Sequence, residues 1–212
     1  MPFAKKDFIE IEFTGKIKNS SIFDSNIQED IKKAGLKLEA KPFVFCLGEG
    51  MFLKGVEDFL IGKENGRYEI ELSPEKAFGK RETNLVQVIP IKIFHQQKTN
   101  PVPGSVFNFD GKIAKVLSVS GGRVIVDFNH PLAGKTVVYE VKVLKKVEDI
   151  NEKTKALIEF FTRKDFKFNI EGKKLFIEAD KQFGEFFNLF RDKFKDLLGL
   201  ELEIKEIPKT SQ

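Results

Sequence analysis

The residues of this chain that are best suited to form a site are aromatic, and they are concentrated after Pro42. Phe43, Phe45 and Leu47 alternate with Val44 and Cys46. This period of two places one set of side chains on one face of a strand. The stretch therefore predicts a strand with an aromatic face. Such a face binds apolar groups, and it offers no nucleophile.

A short helix is predicted directly after this strand and a glycine turn. Phe52 and Leu53 open it, Leu53, Val56 and Leu60 share one side by their i, i+3 and i+7 spacing, and Gly62 marks its end. The first residues of a helix have free backbone N–H groups. The pattern alone leaves two interpretations open: ordinary core, or the floor of an apolar binding pocket.

Other site chemistries find little support in the sequence. Gly48 and Gly50 are followed by neither a third glycine nor a Gly-Lys-Ser/Thr element, which argues against a nucleotide site. His95 and His130 are the only histidines and Cys46 the only cysteine, so we expect no metal site and no cofactor. Cys46 is expected to be a buried structural thiol, and no Ser-His-Asp or paired-carboxylate site can be singled out.

Composition narrows the class of protein. Hydrophobic residues make up 41% of the 212 positions and charged residues 32%, which excludes a membrane protein and a disordered chain. The 36 basic and 32 acidic residues interleave, and no long basic block or nucleic-acid motif is present. With no signal peptide and no membrane-length apolar run, we expect a cytoplasmic protein without nucleic-acid or membrane partners.

Local patterns predict the elements around the aromatic strand. Asp7 to Lys18 alternates as a strand with a bulge or bend at Gly15. Gln28 to Ala34 is predicted to form a helical turn, and Arg67 to Leu72 a strand. Pro74 begins a single helical turn for which Ser73 is the predicted N-cap.

Two further pieces differ in character from this body. Residues 84–131 read as an inserted small β-domain, with strands at Ser105 to Phe109, Lys112 to Leu117 and Arg123 to Phe128. From residue 150 the pattern is αββαβ, with a first helix capped by Asn151 or Asp149. The second helix carries an aromatic stripe of Phe183, Phe186, Phe187, Phe190, Phe194, Leu197 and Leu198.

Five motifs, in order, resemble those of FKBP-type peptidyl-prolyl cis/trans isomerases. They are Ile11 to Gly15, Ile22 to Ser25, Pro42 to Glu57, Ala77 to Gly79 and Thr136 to Val141. The flanks of the insert, Asn84 to Pro90 and Asn129 to Lys135, resemble those of SlyD-like members, whose flap carries an insert-in-flap domain. The C-terminal extension resembles that of the long archaeal FKBPs.

The resemblance implies an α+β fold: an FKBP-like antiparallel sheet wrapped on a short helix, a small β-domain inserted in the flap, and a C-terminal α/β domain of αββαβ order. It implies an isomerase domain at 1–83 and 132–149, an insert-in-flap chaperone domain at 84–131, and a C-terminal α+β domain at 150–212. We expect the aromatic stripe of the last domain to pack in its own core or in a homodimer interface, with client binding as the other interpretation.

The implied activity is peptidyl-prolyl cis/trans isomerisation that accelerates folding, with unfolded or proline-containing polypeptides as partners. The resemblance assigns catalytic positions to Phe13, Asp24, Phe43, Phe52, Leu53, Phe78 and Tyr139, and substrate contacts to Phe23 and Val56. Asp24 is the polar rim group, and the backbone N–H of Leu53 is the donor to the peptide.

Two departures from the family pattern keep an alternative open. Val56 stands where many members have Trp. Phe78 replaces a Tyr whose hydroxyl would donate a hydrogen bond to the substrate, and its absence removes roughly 1 kcal/mol of binding free energy. The alternative is a non-catalytic holdase or assembly module with a degenerate pocket. Five retained residues favour the enzyme: Phe13, Asp24, Phe43, Leu53 and Tyr139.

Overall fold

The computed structural model describes residues 1–207, which form two compact units. The first unit contains Met1–Lys16, Ser21–Ile70 and the described residues from Val138 onward, and the second contains Ile17–Ser20 and Glu71–Val137. The class is mixed α and β, with antiparallel sheets and several helices, consistent with an FKBP-like fold.

The described residues form twelve strands and six helices. The strands are β1 (Phe8–Ile17), β2 (Ile22–Ser25), β3 (Phe43–Cys46), β4 (Gly66–Leu72), β5 (Val86–Pro90), β6 (Val106–Phe109), β7 (Lys112–Ser120), β8 (Arg123–Asp127), β9 (Val137–Lys146), β10 (Phe168–Glu171), β11 (Lys174–Ala179) and β12 (Glu201–Glu206). The helices are α1 (Gln28–Ala34), α2 (Lys54–Leu60), α3 (Ile91–Gln96), α4 (Ile150–Thr162), α5 (Lys181–Asn188) and α6 (Arg191–Leu198).

A five-stranded sheet is built around β1. β2 and β3 pair antiparallel with successive parts of β1, and the remaining order is β1, β9, β4. The register of β1 against β2 shifts between Gly15 and Lys16, which confirms the predicted bulge. A Cβ on Gly15 would lie 2.9 Å from Phe23 Cζ and 3.0 Å from Tyr139 Cε1. Glycine is therefore needed there for ring packing.

The two helices near this sheet follow their predicted signals with one difference. α1 ends at Gly35, which adopts φ 65°, as predicted. α2 begins at Lys54 rather than at Phe52, because Leu53 has an extended backbone (ψ 121°) and acts as the N-cap. Val56 and Leu60 are fully buried, so the predicted apolar side of the helix is correct.

The second unit contains an antiparallel sheet of order β5, β8, β7, β6. One helix in it, α3, was not predicted, because six residues are too short for a helical period to show. Its Phe94 is 2% exposed and fills the core against Val116, Val124 and Val126. The predicted turn after Pro74 is a 3-10 turn, and Ser73 makes no side-chain capping bond.

The C-terminal part follows the predicted αββ order, and its last strand is also present. β10 pairs antiparallel with β11, whereas β12 is parallel to it. α4 is capped by Asp149, whose Oδ1 accepts from the Glu152 N–H at 2.8 Å, so Asp149 and not Asn151 is the cap. α4 also contacts β3, which brings the C-terminal part against the aromatic strand.

The prediction of a single helix for the aromatic stripe is wrong, because helical geometry is interrupted between α5 and α6. Phe190 leaves helical geometry (φ −111°, ψ 9°) and stacks on Phe161 of α4, with ring centroids 4.2 Å apart. Phe187 and Phe194, on either side of the break, are both fully buried. Within residues 1–207, no helix is long and apolar enough to span a bilayer.

Phe94→Ala tests the role of the unpredicted helix. Removing this ring leaves a cavity in a small core, and we expect a loss of about 3–5 kcal/mol of stability in the second unit. Amide exchange read residue by residue should show faster exchange in β5 to β8 and unchanged exchange in β1 and β3. Exchange that stays slow in β7 and β8 would contradict the packing role of α3.

Candidate functional site

Six aromatic rings of the first unit form one cluster: Phe13, Phe23, Phe43, Phe45, Phe52 and Tyr139. Phe52 is at its centre, with ring centroids 4.8 Å from Phe13, 5.5 Å from Phe43 and 5.6 Å from Tyr139. Phe23 joins through an edge contact with Tyr139 at 5.8 Å. Edge-to-face and tilted contacts at these distances are the favourable geometry for aromatic pairs.

Strand pairing explains how these rings meet. Phe43 of β3 lies opposite Ile11 of β1, and Phe13 follows Ile11 by two residues, so both rings stand on the same face of the sheet. Tyr139 is on β9, the strand beside β1. Three sequence-distant strands thus present one aromatic wall.

The turn that carries Phe52 is fixed by a buried carboxylate, Glu57, which is 1% exposed. Its Oε2 accepts from the backbone N–H groups of Gly48 (2.8 Å) and Gly50 (3.2 Å), and its Oε1 accepts from that of Phe52 (2.7 Å). Charge-assisted bonds of this kind are roughly twice as strong as neutral ones. Sequence reasoning gave Glu57 no role, although the residue closes the Pro42 to Glu57 motif.

Glu57→Gln tests this fixation. An amide replaces one accepting oxygen by a donor, so at least one buried N–H loses its partner, and we expect a loss of about 1–3 kcal/mol. Denaturant unfolding should report the loss. Asp58→Asn, on the exposed side of the same helix, is the matched control. It removes only an exposed ion pair with Lys54 and should cost no more than about 0.5 kcal/mol. Equal stability of the two variants would contradict the proposed fixation.

The backbone N–H of Leu53 is the donor that this turn leaves free. Leu53 is the half-buried N-cap of α2, and among residues 1–207 no acceptor receives its N–H. The neighbouring N–H of Phe52 is occupied by Glu57. A backbone donor without an acceptor in the described chain therefore follows directly after the residue that carries the central ring of the aromatic cluster.

Two polar groups lie at the same cluster, Asp24 and Tyr139. Burial raises the pKa of the Asp24 carboxyl, and a backbone hydrogen bond at Ser25 opposes part of the rise. Burial and the nearby Asp24 charge both raise the pKa of Tyr139, so its hydroxyl stays protonated. No hydrogen bond to that hydroxyl is present among residues 1–207. Because no buried side-chain polar atom of the described residues lacks a partner, the hydroxyl must have access to solvent, although the residue as a whole is only 2% exposed.

Asp24→Asn should raise the melting temperature at neutral pH. A raised pKa means that the folded state disfavours the carboxylate, so the ionised group destabilises the protein above its folded pKa. The stability difference between variant and parent should shrink as the pH falls and Asp24 becomes protonated. Thermal melts from pH 3 to 8 check this. An advantage of the variant that is constant across this range would exclude ionisation of Asp24 as the cause.

Asn26 positions Phe13, and sequence reasoning missed this residue too. Its Oδ1 accepts from the Phe13 N–H at 2.7 Å, and its Nδ2 donates to the carbonyls of Ile11 (2.9 Å) and Lys41 (3.0 Å). One side chain thus ties β1 to the segment before β3. No sequence pattern signals such a role, because the three partners are distant along the chain.

The other predicted site residues have different surroundings. Val56 has no exposed surface, so its contact with a substrate stays a prediction. Phe78 belongs to the second unit, where its ring stacks on His130 with centroids 4.8 Å apart and planes 1° apart. Cys46 is fully buried, and burial raises its pKa to about 12, as expected of a structural thiol.

A groove of about 790 Å³ opens beside the cluster in the first unit. Phe13, Asp24, Phe43 and Phe52 line it together with residues of α4. This volume lies within the range of ligand pockets. Within residues 1–207, no group of three or more His, Cys, Asp or Glu residues is arranged to hold a metal ion.

Comparison with known proteins gives this geometry a family. The family model described as "FKBP26, IF domain" matches residues 87–132. A short-type peptidyl-prolyl cis-trans isomerase of Methanocaldococcus jannaschii is 31% identical over 143 residues, which are 66% of this chain and 90% of that protein. The FKBP-type isomerase SlyD of Treponema pallidum is 31% identical over 163 residues, 74% of this chain and 86% of its own length.

The sheet, the short helix and the aromatic cluster define an FKBP-like protein. The chain belongs to the FKBP-type peptidyl-prolyl cis-trans isomerase family, a class of enzymes. Within that family it is SlyD-like and carries an insert.

Proposed function

We propose that this chain catalyses cis/trans isomerisation of the peptide bond before proline, at the aromatic cluster. The observation that carries the proposal is the free Leu53 N–H beside the ring of Phe52, in a cluster that also holds Phe13, Phe43 and Tyr139. The relatives named as peptidyl-prolyl isomerases support it.

The chemistry requires no acid, base or metal. Rotation about the bond passes a twisted state about 18–20 kcal/mol above the planar forms, where amide resonance is lost. A site accelerates rotation when it binds the twisted state better than either planar one. The twisted amide has less charge separation than the planar one, so an aromatic site that excludes water favours it.

Each residue has a role in this proposal. The rings of Phe13, Phe43 and Phe52 hold the proline and exclude water. The Leu53 N–H donates to a carbonyl of the bound peptide and fixes its direction. The hydroxyl of Tyr139 is a second donor, and Asp24 is the polar group of the rim. The role of Phe78 is proposed from the family resemblance alone.

Leu53→Pro removes this one donor. Leu53 has φ −65°, the angle to which proline is fixed, so the substitution deletes the N–H without forcing φ to change. Leu53→Ala is the matched control, because it shortens the side chain and keeps the N–H. We expect kcat/KM for a proline-containing tetrapeptide to be about tenfold lower in Leu53→Pro than in Leu53→Ala.

The outcome separates the enzyme from the non-catalytic holdase. Equal activity of the two variants would show that the Leu53 N–H is not used. An inactive parent that still suppresses aggregation of an unfolded protein would establish the holdase and reject the isomerase. Circular dichroism of both variants checks that they are folded.

We further propose that the insert binds unfolded polypeptide and raises the concentration of prolines at the catalytic site. The support is an apolar face on its sheet, away from the core residues Val116, Val124 and Val126. The exposed residues of this face are Val88 (59%), Val106 (60%), Ile113 (67%), Leu117 (40%) and Ile125 (36%). Val88 lies directly opposite Ile125 in the β5–β8 pairing.

The triple variant Val88→Thr, Ile113→Thr, Ile125→Thr tests this face. Threonine keeps the β-branched shape and removes apolar surface. Catalysed refolding of a proline-limited protein should slow severalfold, while kcat/KM for the tetrapeptide should not change. Val102→Thr, which alters a 51% exposed residue of the same unit that lies outside the strands, is the control and should change neither. Unchanged refolding by the triple variant would reject the insert as the client-binding part.

The division of the chain is part of this proposal. Residues 1–83 and 132–149 form the isomerase domain, 84–131 the insert-in-flap chaperone domain, and 150–212 a C-terminal α+β domain that pairs two copies. The family match to residues 87–132 supports the middle assignment. The exposed Leu189 and the half-buried Phe186 of α5 support the pairing surface. We also propose a cytoplasmic location.

A further inference from the structure

The wall of the groove opposite the aromatic cluster comes from the C-terminal part of the same compact unit. α4 contributes Ala156 and Phe160 as apolar lining, and the chain just after it contributes Arg163 and Lys164. The FKBP motifs end before this helix, so none of these residues was assigned a role from sequence. Their position in the groove is decided by the contact of α4 with β3.

The groove is continuous with the aromatic cluster. Phe13, Asp24, Phe43 and Phe52 belong to the cluster, and they line the same groove as Phe160. A polypeptide that places its proline on the cluster therefore has neighbouring residues within reach of α4. A minimal proline peptide does not need this wall, whereas a longer segment passes along it.

Most carboxylates on this wall and beside it are already neutralised by lysines. The separations are 2.9–3.9 Å, and the pairs are Lys145 with Glu10 and Glu152, Lys155 with Glu159 and Asp165, and Lys41 with Glu159. These groups have little net charge to offer a ligand.

Two cations in the groove lack such partners. Neither Arg163 nor Lys164 forms an ion pair with any carboxylate of residues 1–207. The Arg163 guanidinium lies over the ring of Phe160 at 5.6 Å, and Lys164 Nζ lies over the ring of Phe183 at 5.0 Å. One carboxylate of the facing segment, Glu39, is also without an ion pair in the described chain. Arg163 and Lys164 are therefore two cations without ion pairs at the end of α4, beside an apolar ring.

We propose that α4 is the second wall of the substrate groove, and that Arg163 and Lys164 select polypeptide segments that carry an acidic side chain near the proline. The inference rests on the proposed isomerase function. Phe160 contacts the apolar part of the flanking segment, and the two cations pair with its carboxylate. The C-terminal part thereby contributes substrate selectivity to the catalytic site.

A series of proline peptides tests the selectivity. Each peptide has a central Ala-Pro bond and one Glu, Gln or Lys at a single flanking position, and isomerisation is measured by exchange NMR with the full chain. We expect kcat/KM for the Glu peptide to exceed that for its Gln counterpart by about threefold at one or more positions, the size of a partly exposed charge pair. The preference should weaken in high salt.

The double variant Arg163→Gln, Lys164→Gln should abolish the preference and leave kcat/KM for the Gln peptides unchanged. Lys167→Gln, Lys173→Gln is the matched control, because it removes two exposed cations of the C-terminal part that do not line the groove. Phe160→Ala should raise KM for the long peptides and leave the tetrapeptide unaffected.

Three outcomes would overturn the inference while the isomerase function stands: no preference for Glu in the parent, a preference for Lys, or a preference that survives the double variant. An inactive parent would instead reject the isomerase function. In that case, peptide binding measured by NMR titration with the same variants decides whether the groove selects acidic segments.

Discussion

The carboxylate of Glu57 is the group on which the geometry of the site depends. A buried charge is tolerated only when hydrogen bonds replace its lost hydration, and here three backbone N–H groups supply them. Gly48 and Gly50 both have positive φ, 83° and 69°, which allows the turn to direct these N–H groups inward. The same arrangement occupies the N–H of Phe52 and leaves that of Leu53 free. The Glu57 carboxylate therefore fixes the turn that carries the proposed donor.

The aromatic cluster complements this donor. Its rings come from β1, β2, β3, β9 and the turn before α2. The strands are held by their pairing, and Asn26 adds a side-chain bond to the Phe13 N–H. A reaction in which no covalent bond is made or broken depends on the shape of the site and on the exclusion of water. A rigid apolar wall can therefore accelerate it without an acid, a base or a nucleophile. Asp24 and Tyr139 are polar groups in an environment that keeps the tyrosine protonated.

The C-terminal part is not independent of this site. α4 contacts β3, and ion pairs of Lys6 with Asp196 (2.6 Å) and of Lys193 with Glu49 (2.5 Å) join α6 to the same body. Exposed pairs contribute little energy individually, but the packing of α4 gives the groove its second wall. In the second unit, the exposed apolar face of the insert is a separate feature, and it is supported by its own core around Phe94.

Local rules in the sequence determined most of the strands, the bulge at Gly15 and the end of α1 at Gly35, because period, turn residues and caps act over a few neighbours. β2 and β5 were not predicted as strands, and β9 was expected only from the family resemblance. The tertiary structure alone decided the features that depend on distant contacts. Phe94 stabilises the six-residue helix α3 by filling the core of the second unit. Phe190 stacks on Phe161 at the point where the periodic stripe is divided into α5 and α6. The role of Glu57 and the position of α4 follow from backbone groups and strands that only folding brings together.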